Sequence, residues 1–186
     1  MQSKRPLLVR AAGAVLVGLL TLALTAASAQ GQGQSKLGGA WLGIKSDGGH
    51  RWTCIVAPLD SAAREAALHV KFTVHSPQMA GLLAKFGADS FSDFVGESRM
   101  INRTTAKFTL VGYALKQGNP PAIKLIYVGF GTWEFTNATQ AVLQYWINVY
   151  PAEADADGDG MPDPGSAPMF PPIPVTDTAL RVPILP

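Results

Sequence analysis

The sequence predicts a mainly β protein: an antiparallel meander that is barrel-like, with one short covering helix and a proline-rich C-terminal tail. Three observations predict this class. Short runs rich in β-branched and aromatic residues recur along residues 37–150, turn-forming residues separate them, and only one stretch shows clear helical spacing of apolar residues. One helix among about eight strands favours a barrel or half-barrel over a parallel α/β fold.

The strands follow from these runs in chain order. The clearest is LHVKFTVH, in which Leu68, Val70 and Phe72 alternate with polar residues, so that one face is apolar and the other polar. Turn segments at 46–49, 118–121 and 136–139 fit antiparallel hairpins. The predicted strands span 39–45, 51–57, 67–75, 94–101, 106–116, 122–130, 132–136 and 141–150.

Cys54 is the single cysteine, so the chain contains no internal disulfide. In the segment RWTCIVAP it alternates in phase with Trp52 and Val56. This phase predicts a buried thiol that packs as a small apolar group. The alternatives are a reactive thiol and an intermolecular disulfide.

One short helix is predicted within SPQMAGLLAKFG. Ser76 suits the N-cap, Pro77 suits the first helical position, and Gly87 suits the left-handed position at the C-terminus. The apolar side chains at helical spacing fall on one face that can cover the sheet; they are Met79, Leu82, Leu83 and Phe86.

Residues 1–29 have the three-part plan of a secretory signal peptide, with Lys4, Arg5 and Arg10 before or at the start of an apolar run and a small-residue site ending at Ala29. A transmembrane anchor is the alternative, but the run falls short of the roughly 20 residues that span a bilayer. Cleavage would leave a flexible lead-in at 30–36, and no later segment is apolar enough to span. We therefore expect a secreted or periplasmic protein.

The charge balance argues against a nucleic-acid partner. The chain has 15 Lys and Arg and 13 Asp and Glu, and three of the basic residues lie within 1–29. The expected mature chain therefore keeps 12 basic residues against 13 acidic ones. A nucleic-acid surface needs a basic stripe to meet phosphate, and this composition does not supply one.

The composition changes at Pro151, which divides a β-rich domain at 37–150 from a tail at 151–186 that contains nine of the 14 prolines. Proline cannot donate a hydrogen bond to a sheet. The tail is therefore expected to be mostly extended or looped, with 178–185 at best an edge strand in which Leu180 and Val182 alternate.

The tail begins with an acidic loop, EADADGDGMPD. If Asp155 is position 1, carboxylates fall at positions 1, 3, 5 and 9, and Gly160 falls at position 6. A hard divalent cation takes six to eight oxygens, alternate residues of a tight loop can point oxygens inward, and glycine allows the sharp turn. This spacing predicts calcium, and the alternative is a solvated acidic linker.

The loop resembles the aspartate-rich calcium loops of thrombospondin type 3 repeats and of related secreted bacterial proteins, over 155–166. The resemblance implies a structural calcium ion that pins the tail to the domain. Ser166 stands at position 12, where a bidentate acid is usual, and no helices flank the loop, so it departs from a full EF-hand. The implied ligands are Asp155, Asp157, Asp159, the carbonyl of Met161 and Asp163.

The stretch Gly39-Ala40-Trp41 is similar to the G-x-W that opens lipocalins and their calycin relatives. The resemblance implies an eight-stranded up-and-down barrel in which Trp41 closes one end, Arg181 packs on it, and the interior holds one small apolar ligand. The family's later T-D-Y-type motif and its C-terminal helix are missing. The whole chain also resembles secreted bacterial families from which no activity can be transferred.

The last predicted strand places aromatic and amide side chains together on one face: Gln144, Trp146, Asn148 and Tyr150. Sugar- and peptide-binding surfaces are often built this way, and so are ordinary half-exposed strands.

No local signature of catalysis is present, since the sequence lacks a G-x-S-x-G elbow, an H-E-x-x-H motif and zinc-type Cys/His spacing. Three hypotheses follow. The first is a non-enzymatic binding module that takes a small apolar ligand inside the barrel or a protein or glycan on an aromatic face. The second is a structural or interaction domain of the cell envelope or extracellular matrix, which predicts a filled core and an exposed patch. The third, a hydrolase, has the least support.

Overall fold

The structure is a computed structural model that describes residues 37–45, 51–60, 62, 64–73 and 77–183. The predicted signal peptide, the lead-in at 30–36, the turn at 46–49 and the capping Ser76 lie outside the described residues. Within the described part of the chain, no helix is long and apolar enough to cross a membrane.

Nine strands and one helix make up the described chain. The helix is α1 (Pro77–Lys85). The strands are β1 (Gly39–Lys45), β2 (Arg51–Pro58), β3 (Glu65–Thr73), β4 (Ser90–Phe91), β5 (Phe94–Met100), β6 (Thr105–Lys116), β7 (Ala122–Phe135), β8 (Gln140–Pro151) and β9 (Ile173–Arg181).

Eight of the strands form a closed antiparallel barrel. They follow the order β6-β5-β3-β2-β1-β9-β8-β7, and β6 also pairs with β7, so the ring is complete. The short β4 pairs with the end of β6 beyond β5. Chain neighbours are sheet neighbours throughout the ring, which is an up-and-down meander. The predicted fold class is confirmed.

The prediction of separate strands at 122–130 and 132–136 is wrong, because β7 runs unbroken through Gly131. A Cβ atom on this glycine would lie 2.2 Å from the carbonyl oxygen of Gln144 on β8. The glycine therefore marks a close approach of two backbones within the sheet, whereas the sequence alone suggested a break between two strands.

The prediction of an edge strand near 178–185 is also wrong in its placement. β9 begins earlier, at Ile173, and pairs with β1 on one side and β8 on the other. It is therefore an interior strand of the ring, and the barrel includes chain beyond residue 150. Pro174, opposite Trp146, is close to the beginning of the strand, where proline is tolerated.

Inward-facing side chains fill the barrel in alternation along each strand. Trp52, Cys54 and Val56 are all at most 3% exposed, which confirms the predicted phase of β2. Burial raises the pKa of Cys54 to about 12, so the group is a packed thiol at neutral pH. Two inward glycines make room for aromatic rings, because added Cβ atoms at Gly43 and Gly112 would overlap the rings of Trp52 and Phe94.

One end of the barrel, called here the Trp41 end, is closed by aromatic rings. Trp41 is 1% exposed and meets Trp133 edge-on at 5.6 Å between ring centroids. The Arg181 guanidinium lies 5.7 Å from the centroid of the Trp41 ring and bonds to the carbonyl of Gly38. This is the arginine–tryptophan contact expected from the calycin resemblance.

The opposite end, called here the helix end, carries α1. The helix begins at Pro77 as predicted, and Gly87 just beyond it has φ of 71°, the left-handed conformation that glycine favours. Leu83 is buried, and Phe86 meets Phe170 edge-on at 5.9 Å. The turn that follows the helix therefore contacts the segment that joins β8 to β9.

Candidate functional site

The acidic loop lies in the β8–β9 connection, at the helix end of the barrel. A 3-10 turn at Ala152–Ala154 follows β8 directly, and the aspartates come next. Carboxylate oxygens of Asp155, Asp157 and Asp159 all lie within 4.8 Å of one another. Three of the predicted ligands therefore converge on one point.

Backbone N–H groups of the loop hold these carboxylates in place. Gly160 N donates to Asp155 Oδ2 at 3.0 Å, and Met161 N donates to Asp159 Oδ1 at 2.8 Å. Asp159 N donates to Asp157 Oδ1 at 3.2 Å. Gly160 has φ of 90°, which is the conformation that the sharp turn at position 6 requires.

The second oxygen of Asp155, Oδ1, is buried and has no hydrogen-bond donor among the described residues. A buried carboxylate oxygen without a hydrogen-bond donor raises the free energy of the folded state, because its hydrogen bonds to water are lost and are not replaced. A hard cation at the convergence point would compensate for it. The carboxylate oxygens that converge here are the kind of ligand that calcium binds.

The other predicted ligands have different surroundings. Asp163 lies outside the converging group, and its Oδ2 accepts a hydrogen bond from Ala156 N at 2.9 Å. The Met161 side chain is exposed and ends in a thioether, so the backbone carbonyl is the only oxygen that this residue can offer. Ser166 at position 12 bonds through its hydroxyl to the Ala154 carbonyl at 3.3 Å.

Tyr113 attaches the loop to the barrel wall. Its hydroxyl, on the outer face of β6, donates to the Gly160 carbonyl at 2.9 Å. Burial, followed by the negative charges of Asp155 and Asp159, raises the pKa of Tyr113. The loop is also fixed further along, where Met169 N donates to the Val149 carbonyl at 2.7 Å. Sequence patterns could not predict the Tyr113 contact, because the tyrosine lies far from the loop along the chain.

The barrel interior contains a buried carboxylate that the sequence analysis missed. Asp177 on β9 is 1% exposed, and its Oδ2 accepts hydrogen bonds from Trp52 Nε1 at 2.7 Å and from the Tyr145 hydroxyl at 2.8 Å. The available signal was the alternation of Val175, Asp177 and Ala179, which places an acid on the apolar phase.

The space beside this group is small. Aromatic and aliphatic side chains enclose a cavity of about 20 Å³, which is on the scale of one water molecule. Five aromatic side chains line it, among them Trp133 and Phe108, which meet edge-on at 6.2 Å. At this position the interior is packed by the protein's own side chains.

A larger space lies on the outer wall, in the half of the barrel toward the Trp41 end. Phe130 and Trp146 stand directly opposite each other on β7 and β8 and stack with an interplanar angle of 23°. Trp146 is 45% exposed, whereas the other three tryptophans are at most 3% exposed. These two rings form one end of an open groove of about 540 Å³, called here the outer groove.

The strand register places the groove side chains in two neighbouring rows across the sheet. The first row carries Glu97, Thr109, Phe130 and Trp146 on β5 to β8. The second row carries Glu65, Arg99, Lys107 and Thr132 on β3 to β7. Arg99 and Glu65 form an exposed ion pair with nitrogen and oxygen 3.3 Å apart. The groove therefore has an aromatic end and a polar end whose charges balance.

The aromatic-amide face predicted on β8 is divided between two environments. Trp146 belongs to the outer groove, but Asn148 and Tyr150 are only half exposed and bond to each other at 3.2 Å. The face therefore does not extend along the whole strand. Only its part near Trp146 is open to a partner.

His69 and Asp93 form an exposed pair, with Nε2 and Oδ2 3.0 Å apart. The hydroxyl of the nearby Ser92 donates to the Asp93 carbonyl and accepts from Tyr113 N, so it is committed to backbone groups. The arrangement is not that of a nucleophile held by a base. His50 and His75 lie outside the described residues.

Comparison with known proteins finds a similar fold among solved structures. No protein-family model matches the chain, and no curated protein sequence matches it. A solved structure titled "Structure of EF1p2_mFAP2b bound to DFHBI" is similar with a TM-score of 0.48 at 16% identity, over 79% of this chain and 94% of that chain. The strand pairing of the closed ring establishes the fold of this chain.

Proposed function

We propose that the protein is a secreted, non-enzymatic binding module that takes its partner on the outer wall of the barrel and whose acidic loop binds a structural calcium ion. The observation that carries the binding role is the outer groove, with the stacked and exposed rings of Phe130 and Trp146 at one end. Exposed aromatic residues beside polar groups are the usual anchors of binding surfaces.

The small interior cavity favours the outer wall over the interior as the binding surface. A ligand inside the barrel would have to displace packed rings such as Trp133 and Phe108, whereas the groove is open already. A packed centre with an exposed patch is also what an interaction domain of the envelope or matrix would have. Both the binding role and the interaction-domain role would therefore use the outer groove.

Two screens test the binding role: a displayed random-peptide library and a glycan microarray, each probed with the purified protein. Trp146→Ala removes the main ring of the groove, and Ile55→Ala is the matched control, because Ile55 is 58% exposed on β2, outside the groove. We expect binding in at least one screen that Trp146→Ala loses and Ile55→Ala keeps. Binding that survives Trp146→Ala, or no binding in either screen, would contradict the proposal.

The calcium role is supported by the convergence of three carboxylates and by the donor-free Oδ1 of Asp155. A cation there would act on stability, because the loop joins β8 to the strand that closes the barrel. A ligand that binds only the folded state at a hundred times its Kd stabilises that state by about 2.7 kcal/mol.

Thermal unfolding in EDTA and in millimolar calcium tests this role. We expect calcium to raise the Tm by several degrees, and the double variant Asp157→Asn/Asp159→Asn to lose the rise. Glu153→Gln is the matched control, because Glu153 is an exposed acid of the same segment outside the converging group. An equal rise in the double variant would exclude the loop as the site, and no rise in any form would make it a solvated linker.

A further inference from the structure

We propose that the outer groove binds a neutral glycan. This inference rests on the proposed function, since it names the class of partner for the same surface. Its first support is the stacked pair of Phe130 and Trp146, whose ring centroids lie 6.2 Å apart and whose side chains are 37% and 45% exposed. One face of a pyranose ring is made of C–H groups whose hydrogens carry a partial positive charge. Such a face packs against the face of an aromatic ring, which carries a partial negative charge.

The second support is the set of polar side chains that begins beside Phe130 and Trp146. Thr109 lies directly opposite Phe130 in the register, and Thr132 is the next outward residue along β7. Glu97 and Lys107 continue the two rows across β5 and β6. Hydroxyl, carboxylate and ammonium groups supply both acceptors and donors, which the hydroxyl rim of a sugar requires.

The third support is the charge balance. Two acids, Glu65 and Glu97, face two bases, Arg99 and Lys107, and one pair is already joined. Such a groove neither repels nor attracts a ligand because of its net charge. An acidic polysaccharide or a nucleic acid would therefore gain little affinity over a neutral ligand. Five strands at about 4.8 Å spacing make the groove roughly 20 Å long, enough for several sugar rings.

A peptide fits the same groove less well. Extended peptides commonly gain affinity by adding a strand to a free sheet edge, and the outer groove runs across paired strands of a closed ring. A peptide there could use side chains alone, with its backbone groups left to water. A glycan has no backbone amides to satisfy, and its apolar faces and hydroxyls match what the wall presents.

Tryptophan fluorescence measures occupancy of the groove directly, because Trp146 is 45% exposed and the other three tryptophans are buried. We would titrate the protein with soluble neutral β-glucan, mannan and chito-oligosaccharides, and in parallel with heparin as the acidic polysaccharide. Acrylamide quenching of Trp146 should fall when a neutral glycan binds. Trp146→Phe should remove that signal, and Phe130→Ala should weaken binding at least about tenfold.

The outcomes separate this inference from the function on which it rests. Protection of Trp146 by a neutral glycan, with loss of affinity in Phe130→Ala and not in Ile55→Ala, supports a glycan groove. Protection by heparin alone, or selected peptides that bind through Trp146 while every neutral glycan fails, overturns the glycan and keeps the outer groove as a binding surface. Failure of both glycans and peptides overturns both.

Discussion

The outer wall of β6, β7 and β8 has two halves that differ in what covers them. Toward the helix end, the outward-facing Val111 and Ile126 are 9% and 1% exposed. The β8–β9 connection lies over this half, where Tyr113 bonds to Gly160 and the 3-10 turn contacts β7. Toward the Trp41 end, the outward-facing Phe130 and Trp146 are 37% and 45% exposed.

Both halves carry apolar side chains on the face that a simple barrel would leave polar. In the covered half, the chain itself buries them, and they contribute to stability as a second, outer core. In the uncovered half, nothing in the described chain does so. The difference teaches that one sequence feature, an apolar residue at an outward-facing position of a strand, serves folding in the covered half and remains available for the proposed binding role in the other.

Stability measurements on a matched pair would sharpen this contrast most. Ile126→Ala should cost about 2–4 kcal/mol, because it leaves a cavity under the covering segment. Phe130→Ala should cost about 1 kcal/mol or less, because it loses only ring stacking and partial burial. Urea unfolding of the two variants provides the comparison. Equal costs would mean that the two halves are not energetically distinct.

A smaller effect is expected where the covering loop meets the wall. Gly160→Ala places a Cβ at φ of 90° and 2.6 Å from the Tyr113 hydroxyl, and should cost about 1–3 kcal/mol. Gly158→Ala is the control, because φ is 76° there but a Cβ would meet nothing within 4 Å. Adding Tyr113→Phe should recover part of the cost of Gly160→Ala and none of the cost of Gly158→Ala. Without such recovery, the loop would not rest on Tyr113.

The smallest effect is a pH dependence. Burial and then the charges of Asp155 and Asp159 raise the pKa of Tyr113 above its usual 10.0. The folded state therefore holds this proton more tightly than the unfolded state, so the contribution to stability is complete below about pH 10 and is lost as pH rises through the folded pKa. Calcium in the loop would offset the aspartate charges and reduce the shift.

Phenolate absorbance, taken as the difference between the protein and Tyr113→Phe, isolates this titration from that of the more deeply buried Tyr127, whose pKa burial raises to about 12. The Tyr113 midpoint should be lower in calcium than in EDTA. An unchanged midpoint would mean that no cation binds beside Tyr113.

The sequence predicted most of the ring, because alternation identifies a barrel strand wherever one face is buried. It failed at β7 and β9 for physical reasons. Gly131 suggests a break between strands, but the residue is a glycine because the backbone of β8 passes close to it. Pro174 and the buried Asp177 are unusual in a strand, so the sequence of β9 resembles that of a loop. Both errors concern residues whose surroundings come from distant parts of the chain.

The candidate sites divide in the same way. The convergence of Asp155, Asp157 and Asp159 was predictable, because a loop ligand set is local in sequence. The outer groove was visible only in part, through Trp146. Phe130 and the two polar rows join Trp146 through the register of five strands, which alternation within single strands does not determine.

The position of β9 has a further consequence for the order of folding. Its pairing partner β1 is the first described strand, so the ring is sealed by a contact between the two ends of the domain, with Trp41 opposite Arg181. Among the strand pairs of the ring, this one joins the residues that lie farthest apart along the chain, so its loop-closure cost is the highest. In a growing chain that still lacks β9, the seven other barrel strands would form an open sheet with two unpaired edge strands. Whatever stabilises the connection before β9 thus favours the contact that joins the two ends of the domain.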